Sequence, residues 1–231
     1  MEARVVILDY GMGNLRSVQK ALERVGCPAR VTAEPREVRD AHAVVLPGVG
    51  AFARAMEHLE AGGLADAVRE AVAAGKPLLG ICLGLQLLFE ASEETVGYRG
   101  PEGTLPRGLG LLGGTVRRFP AGLKVPQMGW NRLEILQPEP LFRGVPQGAY
   151  AYFLHSFYAD PADPGVVAAR AVYGVPFAAA VQREPLLAIQ FHPEKSGHVG
   201  LRILANFLRF ALGERAVGPA GGPLAVAGER P

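Results

Sequence analysis

The stretch Pro77-Leu78-Leu79-Gly80-Ile81-Cys82-Leu83-Gly84-Leu85-Gln86 decides the fold. Pro77–Cys82 is a short apolar run of the kind found in strands buried on both faces, and a helical pattern over Leu83–Ala91 takes over with no loop between. Such a junction follows the logic of a nucleophile elbow: a sharp turn lifts one side chain above the sheet, and small neighbours, here Gly80 and Gly84, leave room for it. A helix beginning at Leu83 directs free N–H groups and a positive dipole end toward the Cys82 sulfur, which favours the reactive thiolate. A free cysteine at a strand end is more commonly a small buried hydrophobe. Cys27 lacks the setting of Cys82 and keeps that bland reading.

Upstream of the elbow the same alternation repeats. Arg4–Asp9 is a β-rich apolar run, closed by Tyr10-Gly11-Met12-Gly13. From Asn14, the spacing of Leu15, Val18, Leu22 and Val25 predicts a helix that Gly26 stops. Short strands are expected at Ala29–Thr32 and Ala43–Leu46, the second running into Pro47-Gly48-Val49-Gly50, and a helix over Ala53–Gly75 is interrupted at Gly62-Gly63. Buried strands separated by amphipathic helices imply an α/β, flavodoxin-like fold with a mostly parallel sheet and helices on both faces.

Downstream the pattern becomes strand-rich. Leu109–Phe119, Asn131–Leu136, Tyr150–Tyr158, Val166–Val172, Phe177–Gln182 and Leu186–Phe191 read as extra strands, antiparallel where Gly and Pro turns join them. A helix from about Val199 to Leu212 closes the domain, with Leu201, Leu204, Ala205 and Leu208 on one face. The expected domain spans residues 1–213. The Gly/Pro/Ala-rich tail at 214–231 has no amphipathic period and is expected to be mobile, without a catalytic role.

Composition limits the function classes. A chain of 231 residues with 49% hydrophobic and 20% charged residues can bury a real core. A formal charge of +2, with no basic block and no aromatic-basic interleaving, argues against nucleic-acid binding. Two cysteines exclude a disulfide framework and suit a reducing cytoplasm. MEARVVILDYG lacks the regions of a signal peptide, and no apolar run is long enough to span a membrane.

A thiolate nucleophile needs a base to protonate the leaving group, and the base needs an orienting acid. His192-Pro193-Glu194 follows the strand Leu186–Phe191. Strand residues two apart project to one side, so Glu194 is expected to hold the His192 imidazole and favour its charged form. His42, His58 and His198 are read as structural.

Gly-x-Cys-x-Gly-x-Gln after an apolar strand, with His-Pro-Glu later in the chain, resembles the class I (triad-type) glutamine amidotransferases. The resemblance implies that Cys82 attacks the glutamine side-chain amide to form a glutamyl thioester, that His192 protonates the departing ammonia, and that Glu194 orients His192. It further implies an oxyanion hole from Gly48, Val49 and Gly50 with the Leu83 N–H. Gln86 and the His155-Ser156-Phe157 backbone are implied substrate contacts, with no chemistry for His155 itself. No metal and no cofactor is implied.

Five segments narrow the resemblance: Asp9–Asn14, Pro47–Phe52, Lys124-Val125-Pro126-Gln127-Met128-Gly129-Trp130-Asn131, His155–Tyr158 and His192–Ser196. As a set they are similar to the glutaminase subunits of imidazole glycerol phosphate synthases, the enzymes of histidine biosynthesis, from about Arg4 to Leu212. In that family the subunit forms a heterodimer with a (β/α)8-barrel cyclase that receives the ammonia. A barrel alone needs about 250 residues, so it is not contained in this chain. The same resemblance puts Asn14, Trp130 and Lys195 at the contact with the barrel; their alternatives are a helix cap, a core aromatic and a solvated lysine. The glutaminase of another class I amidotransferase, a stand-alone flavodoxin-like cysteine hydrolase and a non-catalytic binding module remain competing readings.

Overall fold

The computed structural model describes residues 4–213, so the tail expected at 214–231 lies outside the described residues. Chain order begins with β1 (Val5–Leu8), α1 (Leu15–Arg24), β2 (Arg30–Thr32), α2 (Pro35–Asp40), β3 (Ala43–Gly48), α3 (Phe52–Ala61) and α4 (Leu64–Ala73). It continues through β4 (Leu78–Cys82), α5 (Leu83–Gln86), β5 (Phe89–Ser92), β6 (Leu112–Arg118), β7 (Gln127–Arg132) and β8 (Glu134–Ile135). The remainder is β9 (Tyr150–His155), β10 (Phe157–Pro161), β11 (Val167–Tyr173), β12 (Val175–Arg183), β13 (Leu186–Ile189) and α6 (Gly197–Ala211), with 3-10 turns at Pro164–Val166 and Pro193–Lys195.

One eight-stranded sheet organises the molecule in the order β2-β1-β3-β4-β13-β12-β11-β8. Its first five strands are parallel, and β12, β11 and β8 add antiparallel pairs at one side. Every residue of β1, β3, β4 and β13 is buried, as their unbroken apolar runs require of strands covered on both faces. Alternate strand residues feed two cores. One face packs Ile7, Val45 and Leu79 with Leu22 of α1 and Ile203 and Phe207 of α6. The other packs Val6, Val44 and Leu78 with Val38 of α2, Leu59 of α3 and Val68 of α4. Two smaller sheets, β10-β6-β5 and β7-β9, lie beside the main one in chain topology. This is the expected α/β architecture with an antiparallel second half.

Some expectations need correcting. The helix predicted over Leu83–Ala91 ends at Gln86, because Phe89–Ser92 pairs in parallel with β6 instead. A four-residue helix carries little macrodipole, so the electrostatic help expected at Cys82 shrinks to the local N–H groups. Tyr150–Tyr158 is not one strand: it breaks at Ser156, β9 pairing with β7 and β10 with β6. Helix α2 was not expected, although Pro35 at its first turn is a start signal. On α6, Leu204, Ala205 and Leu208 are buried as expected, whereas Leu201 is only partly buried and Ile203 and Phe207 join the core contact.

Candidate active site

Three neighbouring parallel strands end at one place. In register, Gly48 at the end of β3 lies beside Cys82 at the end of β4, and β13 flanks β4 on its other side. The carboxyl ends of parallel strands are where open α/β sheets assemble their sites.

Cys82 has φ 55 and ψ −109, the one positive-φ non-glycine among the described residues. A side chain in that region is strained, and the surroundings must enforce it. The flanking glycines do so by allowing close approach. A Cβ on Gly84 would sit 1.8 Å from the Leu46 carbonyl oxygen, and one on Gly80 would sit 2.9 Å from the Gly84 oxygen. The Cys82 sulfur lies 3.8 Å from the Leu154 carbonyl, to which a thiol donates, and accepts from the side-chain amide of Gln190 at 3.7 Å.

His192 follows β13 and is fixed through its backbone, its N–H donating to the Tyr152 carbonyl at 2.9 Å. The Ser196 hydroxyl donates to the His192 carbonyl at 2.6 Å and accepts from the Tyr152 N–H at 3.0 Å, tying the turn to β9. His192 Nδ1–H donates to Glu194 Oε1 at 3.0 Å, and both side chains are buried. The pair is as expected but its geometric cause is not: a 3-10 turn at Pro193–Lys195, rather than strand alternation, curls the carboxylate back to the ring. Burial pulls the His192 pKa down, but Cys82 and Glu194 outweigh it and push it up to about 10. The carboxylate on Nδ1 and the sulfur on the other side of the ring thus favour the charged imidazole at neutral pH.

A cleft of about 270 Å³ opens over these groups. Cys82, His192, Val49, Gly50, Leu83, Gln86, His155, Ser156 and Phe157 line it together with Glu94, Pro126 and Leu154. Two expected site residues stand behind the lining: Gly48 is paired to Cys82, and Glu194 backs His192. The Tyr10 hydroxyl donates to the Pro47 carbonyl at 2.8 Å, and a Cβ on Gly48 would fall 2.3 Å from that hydroxyl. Gly50 has φ +96, a conformation that needs glycine. Gln86 Nε2 donates to the Phe157 carbonyl at 2.9 Å and to Gln190 Oε1 at 3.1 Å. His155 Nδ1–H donates to the Phe157 carbonyl at 2.8 Å, and burial first, with His192 adding to it, lowers its pKa to about 4. It is neutral and shapes the turn into Phe157.

Sequence reasoning missed three groups here. Glu94 is half-buried, accepts from the Phe52 N–H at 3.0 Å, and has its carboxyl raised by burial against the opposing pull of that N–H. Tyr10 braces the end of β3, and Gln190 touches the sulfur. Of the residues expected at a partner contact, Trp130 is 57% exposed, which excludes the core reading. It packs edge-on to Tyr152 at 6.0 Å, and exposed Lys195 sets its Nζ 5.7 Å from the same ring. Asn14 is exposed and precedes α1 without a side-chain cap bond; that helix packs against the turn holding Lys195. Among the described residues no cluster of His, Cys, Asp or Glu has metal-ligand spacing, and no helix is long and apolar enough to cross a membrane.

The chain matches the family Glutamine amidotransferase class-I over residues 6–210. It is similar to imidazole glycerol phosphate synthase subunit HisH of Moorella thermoacetica, 53% identical over 203 residues covering 88% of this chain and 93% of that protein. It is likewise similar to subunit HisH of Geobacter metallireducens, 51% identical with 89% and 97% covered. Among solved structures it resembles a glutamine amidotransferase at TM-score 0.69 and 25% identity, with 89% of this chain and 98% of that one covered. PurLQS from Thermotoga maritima shares the fold at TM-score 0.68 and 20% identity, with 91% and 99% covered.

Proposed function

As this chain belongs to the class-I glutamine amidotransferases and supplies the glutaminase of an imidazole glycerol phosphate synthase in histidine biosynthesis, we propose that Cys82, His192 and Glu194 carry out the hydrolysis and that the ammonia passes to a separate (β/α)8-barrel cyclase. The observation that carries the assignment is the meeting of the cysteine, the carboxylate-bonded imidazole and the glycine-rich segment at the ends of three adjacent strands. The Cys82 thiolate attacks the side-chain amide carbon of glutamine. The oxyanion that forms is met by N–H groups of the Gly48–Gly50 segment and of Leu83. His192, held as imidazolium by Glu194, gives its proton to the leaving ammonia. Water then attacks the glutamyl thioester, with neutral His192 taking its proton, and glutamate leaves.

The rest of the cleft suits one amino acid. Its volume of about 270 Å³ lies just below the roughly 300–1,000 Å³ of ordinary ligand pockets. Glu94 is the one carboxylate among its lining residues and answers the α-ammonium of glutamine; the backbone at Ser156 and Phe157 answers the α-carboxylate. The outer face of the β7-β9 ribbon gives the cyclase its docking surface. Met128, Trp130 and Tyr150 are each more than half exposed, and in register they lie with Tyr152 and Leu154 on one side. Since Leu154 also lines the cleft, that apolar surface is continuous with the site. The contact also takes in Asn14 and Lys195. Two free, buried cysteines fit a cytoplasmic protein.

The test is a glutaminase assay on the chain alone, with a barrel cyclase, and with cyclase and its nucleotide. Ammonia release that rises on adding the cyclase and its ligand is the expected result. Full activity in the chain alone would favour the independent hydrolase, and none in any sample would end the reading.

A further inference from the structure

A buried amide relay that the triad does not include runs from the substrate strand to the sulfur. Gln190 follows β13 and is fully buried, its backbone N–H donating to the Ala179 carbonyl at 2.9 Å. Which end of each side-chain amide faces which neighbour follows from the partners. The Phe157 carbonyl only accepts, so the end of Gln86 that meets it at 2.9 Å is the NH2 group. The same NH2 group lies 3.1 Å from Gln190, so Gln190 turns its oxygen toward Gln86. Its own NH2 group is thereby directed at the Cys82 sulfur, 3.7 Å away.

Sulfur therefore sits between two opposed influences. The Leu154 carbonyl at 3.8 Å accepts from a thiol and repels an anion. The Gln190 amide donates to sulfur in either form, and a donor stabilises the anion more than the neutral group. We propose that Gln190 is a further catalytic residue, whose amide N–H holds the Cys82 sulfur in its anionic, nucleophilic form and is aimed there by Gln86 and the Phe157 carbonyl. The inference rests on Cys82 being the nucleophile of the reaction proposed above. It also explains why Gln86 and Gln190 share a buried contact beside the cleft: a half-satisfied amide pair would cost more than an apolar one, and the sulfur completes the chain of donors.

The experiment is iodoacetamide labelling of the full chain at neutral pH, with Cys82 and Cys27 followed separately by peptide mass spectrometry. Gln190→Leu removes the donor. Gln190→Glu keeps the shape and the acceptor for Gln86 but presents an oxygen to sulfur. A hydrogen bond to a charged partner is among the stronger ones, but 3.7 Å is long, so labelling of Cys82 should fall about tenfold in both variants. In the complex with cyclase, kcat for glutamine should fall by a similar factor with KM within about twofold, because the reacting sulfur rather than substrate binding is affected. Cys27, buried in the core, reports folding: its labelling stays slow in a variant that is intact. Where Gln190→Leu releases Cys27, Gln190→Met is read in its place. Wild-type labelling of Cys82 in folded Gln190→Glu would overturn the proposal and reduce Gln190 to a brace for Gln86. Labelling needs no glutamine, so slowed labelling in a chain that never hydrolyses glutamine would uphold this role while ending the glutaminase reading.

Discussion

Replacing Glu194 by Gln separates charge from shape at the buried pair. Holding His192 at about 10 rather than 6.5, against burial that pulls the other way, corresponds at 1.36 kcal/mol per pH unit to ~5 kcal/mol favouring imidazolium. Cys82 and Glu194 supply this together, so without the carboxylate the charged form is less stable and its titration moves toward neutral pH. Lost orientation of the ring adds to this, and comparable triads lose on the order of 10⁴ in rate without their acid. The expected fall in kcat at neutral pH is therefore up to about 10⁴-fold, through lost orientation of the ring, with KM little changed. The sign of the pH dependence follows from a folded pKa raised above the unfolded one. The pair's contribution is complete below 6.5 and is lost as pH rises through about 10. In the variant the alkaline limb of kcat moves to lower pH, because the carboxylate no longer favours the charged ring. Steady-state glutaminase assays on the complex from about pH 6 to about pH 10.5 measure both quantities. An alkaline limb in the wild-type position, with kcat within about threefold of wild type, would show that Glu194 neither charges nor orients His192.

Three further outcomes are expected. Cys82→Ala abolishes glutamine-dependent turnover but leaves ammonium-dependent product formation in the complex, since the cyclase does not need this thiol; retained glutamine use would exclude Cys82 as nucleophile. A glutamine-analogue electrophile labels Cys82 much faster than Cys27, whose thiol burial pushes up to about 11, and equal labelling would contradict an activated sulfur. Gly84→Ala places a Cβ 1.8 Å from the Leu46 carbonyl oxygen, so it should destabilise the chain by at least ~2 kcal/mol in a denaturant melt; an unchanged melt would mean that the elbow yields.

What the sequence disclosed and what it withheld divide along physical lines. The parallel half was legible because β1, β3 and β4 are short apolar runs and their helices carry one wet face, so period and composition agree. Leu83–Ala91 was misread because Leu85, Leu87, Leu88 and Phe89 are all buried, and a run that is apolar at nearly every position has no period to distinguish helix from strand. Its outcome depends on β6, more than twenty residues later. His192 and Glu194 were found from their identities, but the turn that joins them is a property of Pro193 and the Ser196 hydroxyl, which bonds back to His192. Gln190 carried a readable signal, one amide inside the apolar run Leu186–Phe191, since a fully buried polar side chain needs partners. Glu94 and Tyr10 carried none, because only tertiary packing brings them to the cleft and to Pro47.

The proposed oxyanion segment illustrates how one glycine-rich turn can hold two different requirements. A Gly-x-Gly stretch reads as uniformly free to rotate, but its two glycines are glycine for separate reasons. Gly48 is buried, paired with Cys82, and bounded by the Tyr10 hydroxyl and the Leu83 Cβ, 2.3 and 3.0 Å from where its own Cβ would be. With the Tyr10 hydroxyl also bonded to the Pro47 carbonyl, the end of β3 is held on both sides of its last peptide. Val49 is 41% exposed, and Gly50 adopts φ +96 with only the Met12 methyl near its missing Cβ, at 2.8 Å. Any reorientation of a donor over the cleft is therefore confined to the peptides after Gly48. A partner bound at the β7-β9 ribbon would have to act on Val49 and Gly50, the exposed residues of the segment that border the same cleft. Substitutions at Gly48 consequently report on packing against Tyr10 and Leu83, whereas those at Gly50 report on backbone freedom, and only the latter bear on whether catalysis is switched by movement of this turn.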